Sequence, residues 1–252
     1  MIRFLKAAML SIIVLLTGAN VTATEPATSA PSTPEIIVER ETVSLSRRES
    51  RIRNSAVKVA SPNGSGYGSG TYSVISGKHV VITAAHVVRD NPFMAILGRS
   101  GEIVFGNVAY MDIDRDVAIL VVPELQSRTP IAFRPSRQSQ QELVGDRVYY
   151  TGFPNHHDLF SVRAYISGIE SRQGGSMLLM NGYAWMGASG SGIFDSSGDF
   201  VGTLVAVDVG VWRQPQIVET VVWISPVSNF DIRSIEEHIR YYKSEIPEYQ
   251  DR

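Results

Sequence analysis

The chain has 252 residues, a formal charge of −2 and no cysteine. The charge balance excludes a broad basic field for nucleic acid, and the missing cysteine excludes disulfides and thiolate metal sites. A hydrophobic content of 44% is enough for one large β domain or two lobes of one fold.

At the start, Arg3 and Lys6 precede an apolar run over residues 7–16, and Val21-Thr22-Ala23 offers small residues for cleavage. Residues 1–23 therefore read as a signal peptide. A permanent N-terminal anchor is the alternative, but the run is shorter than the roughly 20 residues a spanning helix needs. No cysteine follows it, which excludes a lipoprotein anchor. The expected location is periplasmic or secreted. Residues 24–34 are Thr, Ser, Pro and Ala with one Glu, the composition of a flexible linker. Residues 35–53 are charged and read as a pro-segment or a first strand with a polar extension. The expected division is 24–50 linker or pro-segment, 51–243 folded domain and 244–252 tail.

From Arg51 the chain is short β-like runs separated by turns. One set is expected over 56–60, 70–75, 80–83, 93–97, 103–110 and 117–122. Pro123 ends the last of these, since it cannot donate to a ladder. After a polar, irregular stretch over 123–142, a second set is expected over 147–151, 161–168, 177–180, 192–195, 200–207 and 219–225. Twelve strands in two sets of six, with little helix, imply an all-β sandwich or barrel architecture. Ile232, Ile235, Ile239 and Tyr242 then follow helical spacing, with Asp231 near the start. The tail after this packing helix leaves no room for a C-terminal recognition domain such as a PDZ.

Three segments carry chemistry. His86 ends the run Val80-Val81-Ile82-Thr83-Ala84-Ala85; alone, such a histidine is more often a core or surface residue. Asp116 opens the apolar run over 117–122, where a carboxylate must find a strong partner. Asp112 and Asp114 are the turn aspartates beside it, and Asp114 is next in line. Ser189 lies in Gly187-Ala188-Ser189-Gly190-Ser191-Gly192, whose bland reading is a flexible turn, with Ser191 as the rival nucleophile. The immediate return to Ile193-Phe194 argues for a short, rigid loop. Small residues permit positive φ and close approach of a substrate, and the N–H groups of Gly187 and Ser189 are the ones expected to point together as an oxyanion hole. A serine hydroxyl becomes nucleophilic when an imidazole takes its proton and a carboxylate orients that imidazole. The three residues supply one candidate per role.

Together these segments resemble the chymotrypsin-like (trypsin-like) serine peptidases, and among them the short-loop bacterial branch that includes the HtrA (protease Do) family. Thr83-Ala84-Ala85-His86 matches the family's histidine turn, Asp116 to Leu120 its aspartate segment, and Gly187 to Ser191 its serine turn. Gly68-Ser69-Gly70-Thr71, Gly152-Phe153-Pro154 and Phe200-Val201-Gly202 match flanking turns and strands. The resemblance spans residues 54–230 and implies two six-stranded antiparallel β-barrels with a C-terminal helix. Ala188, in place of the usual Asn or Asp, and Ser191-Gly192, in place of Gly-Pro, depart from the pattern. Because Ala188 has no carboxylate, activation by a freed α-amino group is not expected. The resemblance also places the primary specificity pocket at Val205, Ala206 and Val207 (wall), with Tyr183 and the strand near Val221-Val222 at its base. An uncharged pocket implies cleavage after small or medium apolar residues, with Asp208 the residue placed to reverse that.

Other motifs are weaker. Asn155-His156-His157-Asp158 is a solvated loop rather than a metal site, so no metal is expected. Gly64-Ser65-Gly66-Tyr67-Gly68 lacks the phosphate-loop lysine, and Asn63-Gly64-Ser65 is a formal glycosylation sequon. An α/β-hydrolase needs Gly at Ser191 and a different residue order. The expected function is an exported serine endopeptidase acting on protein or peptide substrates, without a cofactor, nucleic-acid partner or stable membrane insertion after cleavage. The alternative is an inactive peptide-binding protein of the same fold.

Overall fold

The computed structural model describes residues 44–172, 174–211 and 214–243. The proposed signal peptide, most of the linker and the tail lie outside them. Among the described residues no helix is long and apolar enough to cross a membrane.

The first barrel is built from β1 (Ala56–Ala60), β2 (Tyr67–Ile75), β3 (Lys78–Thr83), β4 (Phe93–Leu97), β5 (Ile103–Asp112) and β6 (Val117–Val121). Their order, β1-β4-β5-β6-β3-β2, is closed by the β1–β2 pair, and every pair in this ring is antiparallel. A two-residue strand, β7 (Ile131–Ala132), adds in parallel to β2. The second barrel closes in the order β10-β13-β12-β11-β8-β9. Its strands are β8 (Arg147–Gly152), β9 (Phe160–Arg172), β10 (Gly175–Asn181), β11 (Gly192–Asp195), β12 (Phe200–Val211) and β13 (Pro215–Pro226). The two six-stranded barrels expected from the sequence are present.

Strands β3 and β6 explain the long apolar runs beside His86 and Asp116. Val81, Ala118 and Leu120 face the interior of the first barrel with Tyr72, Met94 and Ile96. Val80, Ile82, Val117 and Ile119 face outward, yet pack with Phe194, Phe200 and Phe230 between the barrels and the helices. Both faces are dry, so alternation gives way to continuous β-branched sequence. Each such side chain contributes about 1.5–3 kcal/mol on burial. The interior of the second barrel is filled by Tyr150, Ile166, Leu178, Met180, Ile193, Leu204 and Ile224, among others.

Helix α1 (Arg47–Ser55) occupies a region for which the sequence suggested a strand or pro-segment. Ser46 and Glu49 form a capping box, each side chain bonded to the other's backbone N–H. Only Ile52 supplies a buried apolar side chain, against the inter-barrel cluster, which is why apolar periodicity did not reveal the helix. Glu49 is buried and paired with Arg163 of β9, Nε to Oε1 at 2.5 Å and Nη2 to Oε2 at 3.0 Å. The Arg163 hydrogen bond holds the Glu49 carboxyl down at about 2. Two one-turn helices follow, α2 (Ala85–Val88) and α3 (Gln140–Leu143), the latter with a Ser139–Glu142 capping box. The C-terminal helix, α4 (Ile232–Tyr241), is where the spacing placed it; Asp231 accepts a bond from Ser234 N at 3.0 Å, and Ile235 and Ile239 are buried. Tyr242 caps this helix rather than continuing it.

Candidate active site

Strand register brings the histidine and the aspartate together. In the antiparallel β3–β6 pair, Thr83 lies opposite Ala118, so the chain leaving β3 meets the chain entering β6. His86 sits in the single turn α2, and Asp116 just before β6. Asp116 Oδ2 accepts from His86 Nδ1 at 2.7 Å, while Oδ1 accepts from the backbone N–H of His86 at 2.9 Å. A carboxylate accepts only, so Nδ1 carries the proton and Nε2 is left as the basic face. Two bonds to one carboxylate fix both the ring and the turn that bears it. Asp116 adopts φ +50°, a left-handed conformation costly for a residue with a side chain. Its neighbours hold it there: Ser225 Oγ donates to Arg115 O, and Arg115 is anchored to Asp112 by an ion pair of 2.7 Å. Asp112 thus serves the turn, and Asp116 reaches the imidazole.

Ser189 comes from the second barrel, on the loop between β10 and β11. The path from β3 and α2 to this loop is short. A methyl group added at Gly68 would sit 2.7 Å from the Val87 side chain and 2.8 Å from Ser189 O. One added at Gly190 would meet Ser69 O at 2.1 Å and Thr83 Oγ1 at 2.2 Å, at a φ of +89° that favours glycine. Ser189 is half-buried, and its hydroxyl donates to Val205 O at 3.5 Å. Val205 stands at a β-bulge, where the β12–β13 register shifts between Leu204 and Ala206. Among the described residues, Ser189 Oγ makes no hydrogen bond to His86. Ser191, the rival nucleophile, is fully buried with its hydroxyl unpartnered, tight against Gly152. Ala188 is likewise fully buried, in the second barrel's core.

The loop's backbone bonds leave two donors unused. Ala188 N donates to Trp185 O, Gly190 N to Leu204 O and Ser191 N to Ala188 O. Among the described residues, the N–H groups of Gly187 and Ser189 donate to no protein acceptor. These are the two expected at an oxyanion hole, and both residues are only half-buried.

A family model described as a trypsin-like peptidase domain matches residues 68–202. This chain belongs to the trypsin-like peptidase family. Solved structures that the trypsin-like chain resembles include Rv3671c from M. tuberculosis in an inactive form, at 18% identity and a TM-score of 0.58, over 73% of this chain and 86% of that one. A second structure, of the Rv3671c protease, matches at 18% and 0.59, over 73% and 88%. The serine endoprotease from Yersinia pestis matches at 18% and 0.59, over 77% of this chain; the chain spans 66% of that protein's length. At this identity the likeness shows the fold. No curated protein sequence matches the chain.

In this trypsin-like chain the expected wall residues Val205, Ala206 and Val207 line a cavity of about 420 Å³ beside Asp116. Its other walls include Arg172, Met177, Asp208 and Trp223. Tyr183 is not among the residues lining it. Tyr183 is half-buried, its ring packs on Phe160 at 5.5 Å, and its carbonyl accepts from Tyr150 OH. Val222 is fully buried in the second barrel's interior, where the β13 alternation turns it, and is not among the residues lining this cavity. Asp208, the residue expected to threaten an apolar preference, lines this cavity too, and its carboxylate accepts from Trp223 Nε1 at 3.3 Å. Trp223 was missed by the sequence reading, and Arg172 with it. The guanidinium of Arg172 lies 3.8 Å over the indole ring, a favourable cation–π pair. The signal was a tryptophan at an outward strand position between Val222 and Ile224.

Proposed function

We propose that the chain is an exported serine endopeptidase that cleaves protein or peptide substrates. The observation that carries this reading is the two-bond hold of Asp116 on His86, facing a serine loop with two unspent N–H donors. Ser189 Oγ attacks the scissile carbonyl carbon while its proton passes to His86 Nε2. For this the hydroxyl leaves Val205 O, a rotation about one side-chain bond; catalytic hydrogen bonds commonly tighten when substrate binds. Asp116 stabilises the resulting imidazolium. The tetrahedral oxyanion is held by the N–H groups of Gly187 and Ser189. His86 then protonates the leaving amine, leaving an acyl-enzyme. Water attacks the acyl carbon with His86 as base, releasing the acid product and the free hydroxyl.

Apolar side chains on the substrate fit the uncharged segment Val205-Ala206-Val207, and Asp208, on the same cavity, is the residue that would reverse that preference. A cationic side chain laid on that apolar segment costs several kcal/mol in desolvation unless it reaches the Asp208 carboxylate in the same cavity. Digestion of a peptide library by wild type and Ser189→Ala tests the whole reading. Cleavage after Ala, Val or Leu by wild type, absent in the variant, is expected. Dominant cleavage after Arg or Lys overturns the specificity, and equal cleavage by both proteins overturns the mechanism. The inactive peptide-binding alternative predicts binding without cleavage in the same experiment.

A further inference from the structure

Ser69, near the start of β2, is fully buried, and every polar group it carries is in use. Its backbone N–H donates to Ser189 O at 2.7 Å. Its carbonyl accepts from Thr83 Oγ1 at 2.7 Å. Its hydroxyl accepts from Phe153 N at 2.9 Å and donates to Gly187 O at 2.7 Å. One side chain of the first barrel thus ties together two loops of the second.

The consequence lies in the direction of the peptide planes. In a trans peptide the carbonyl and the following N–H point opposite ways, and no cis bond is present. Met186 O accepts from Asn155 N at 2.8 Å, so the Gly187 N–H is turned away from the 153–156 loop. Ala188 O accepts from Ser191 N at 3.0 Å, which likewise turns the Ser189 N–H outward. Between these planes lies the Gly187–Ala188 peptide, and Ser69 Oγ holds its carbonyl. Gly187 has φ +95° and no side chain, so two bonds hold that plane, one on each edge: Ser69 Oγ at the Gly187 carbonyl and Trp185 O, which accepts from Ala188 N at 2.9 Å. If it turned, the relation between the two flanking N–H groups would change with it.

We propose that Ser69 is a positioning residue for the oxyanion hole: its hydroxyl, braced by Phe153 N–H, fixes the Gly187 carbonyl and so sets the N–H groups of Gly187 and Ser189 for the reacting oxygen. The Asn155 turn is the second brace, acting at Met186 O. Asn155 and His156 adopt φ +48° and +61°, and Tyr67 OH accepts from His156 N at 2.6 Å, which holds that turn against the loop. This inference rests on the reading of Ser189 as nucleophile. Ser69 touches no reacting atom; it acts through Gly187.

The test measures kcat, KM and the affinity of a peptidyl boronic acid, whose tetrahedral adduct places an oxygen in the hole. In Ser69→Ala, kcat is expected to fall about 10–100-fold, somewhat less than the loss of an oxyanion donor itself. KM is expected to change less than about twofold, and boronate affinity to fall in step with kcat. The control is Ser73→Ala. Ser73 is also a buried serine whose hydroxyl bonds a carbonyl, Ile131 O at 2.6 Å, but it lies away from the site, and kcat should be unchanged. A purely structural role for Ser69 would lower the folded yield of Ser69→Ala without separating kcat from KM in the folded fraction, and that result overturns the proposal. Should Ser69→Ala fail to fold, Asn155→Val decides. That position is exposed, and a β-branched residue resists its positive φ, so the Met186 brace is lost in a folded protein; a kcat loss with parallel loss of boronate affinity is expected. Unchanged kcat in a folded Ser69→Ala, or in Asn155→Val where it is needed, overturns the proposal. Ser189→Ala is run alongside: hydrolysis surviving in that variant refutes the nucleophile reading itself, independently of Ser69.

Discussion

The two barrels hold their shares of the site in different ways. The first barrel carries His86 and Asp116 at the meeting ends of paired strands, and the side chains bond each other directly at 2.7 Å. The second barrel carries Ser189 on a loop, and its hydroxyl rests 3.5 Å from Val205 O instead of on the imidazole. The proposed base, His86, and its carboxylate partner, Asp116, are therefore fixed by strand register, which the hydrophobic core enforces. The Ser189 loop is fixed by bonds that cross from Ser69 and from the 153–156 turn. A site made this way depends on barrel-to-barrel alignment as much as on either barrel.

The largest expected effect removes the nucleophile. Ser189→Ala should lower kcat by about 10⁶, the order seen when one member of such a triad is deleted, measured with a chromogenic peptide. Asp116→Asn breaks the first barrel's half while leaving its shape. It should cost on the order of 10⁴ in kcat, the magnitude of the general serine-protease triad; near-normal turnover would shift the role to Asp114. Next comes the alignment of the barrels. Glu49→Gln cuts the α1–β9 ion pair and should destabilise the fold by about 1–2 kcal/mol, a value kept low because Arg163 is 40% exposed. The folded pKa of Glu49 is depressed, so its contribution is full above about 4.5 and lost as pH falls toward about 2. Thermal melts should show the wild-type and Glu49→Gln curves converging over that window. The smallest effect concerns the N-terminus. Ala188 is buried where a carboxylate would be needed to receive an α-amino group, so chains trimmed to begin at Ser44 should show the same kcat whatever their first residue.

Much of this arrangement was legible in the sequence because burial on both faces writes itself as unbroken β-branched runs. That is why 80–83 and 117–122 stood out, and why the residues at their ends drew attention. Strand ends were underestimated where ladders continue into polar or glycine-rich sequence, as at Lys78, Asp112 and Arg172. Two-residue β7 has no periodicity to read. The capping box at Ser46 and Glu49 was a readable start signal for α1, outweighed by a charged segment with little apolar spacing. The cavity proposed for substrate side chains was the least legible part. Its walls depend on where the β12–β13 register shifts, between Val207 and Asp208, and on the placement of Arg172 over Trp223. Both are tertiary facts that local pattern does not carry. Ser69 was visible only as a small residue between glycines; its bonds to Gly187 and Phe153 cross between barrels and have no local signature.

The most direct test of the central claim is labelling with a fluorophosphonate, followed by peptide mapping. It asks whether the hydroxyl now resting on Val205 O is activated by the His86–Asp116 pair. The account predicts one label per chain, on Ser189, slowed greatly in Asp116→Asn and unaffected by Ser191→Ala. A label on Ser191, or no label on a folded wild-type chain, would contradict it.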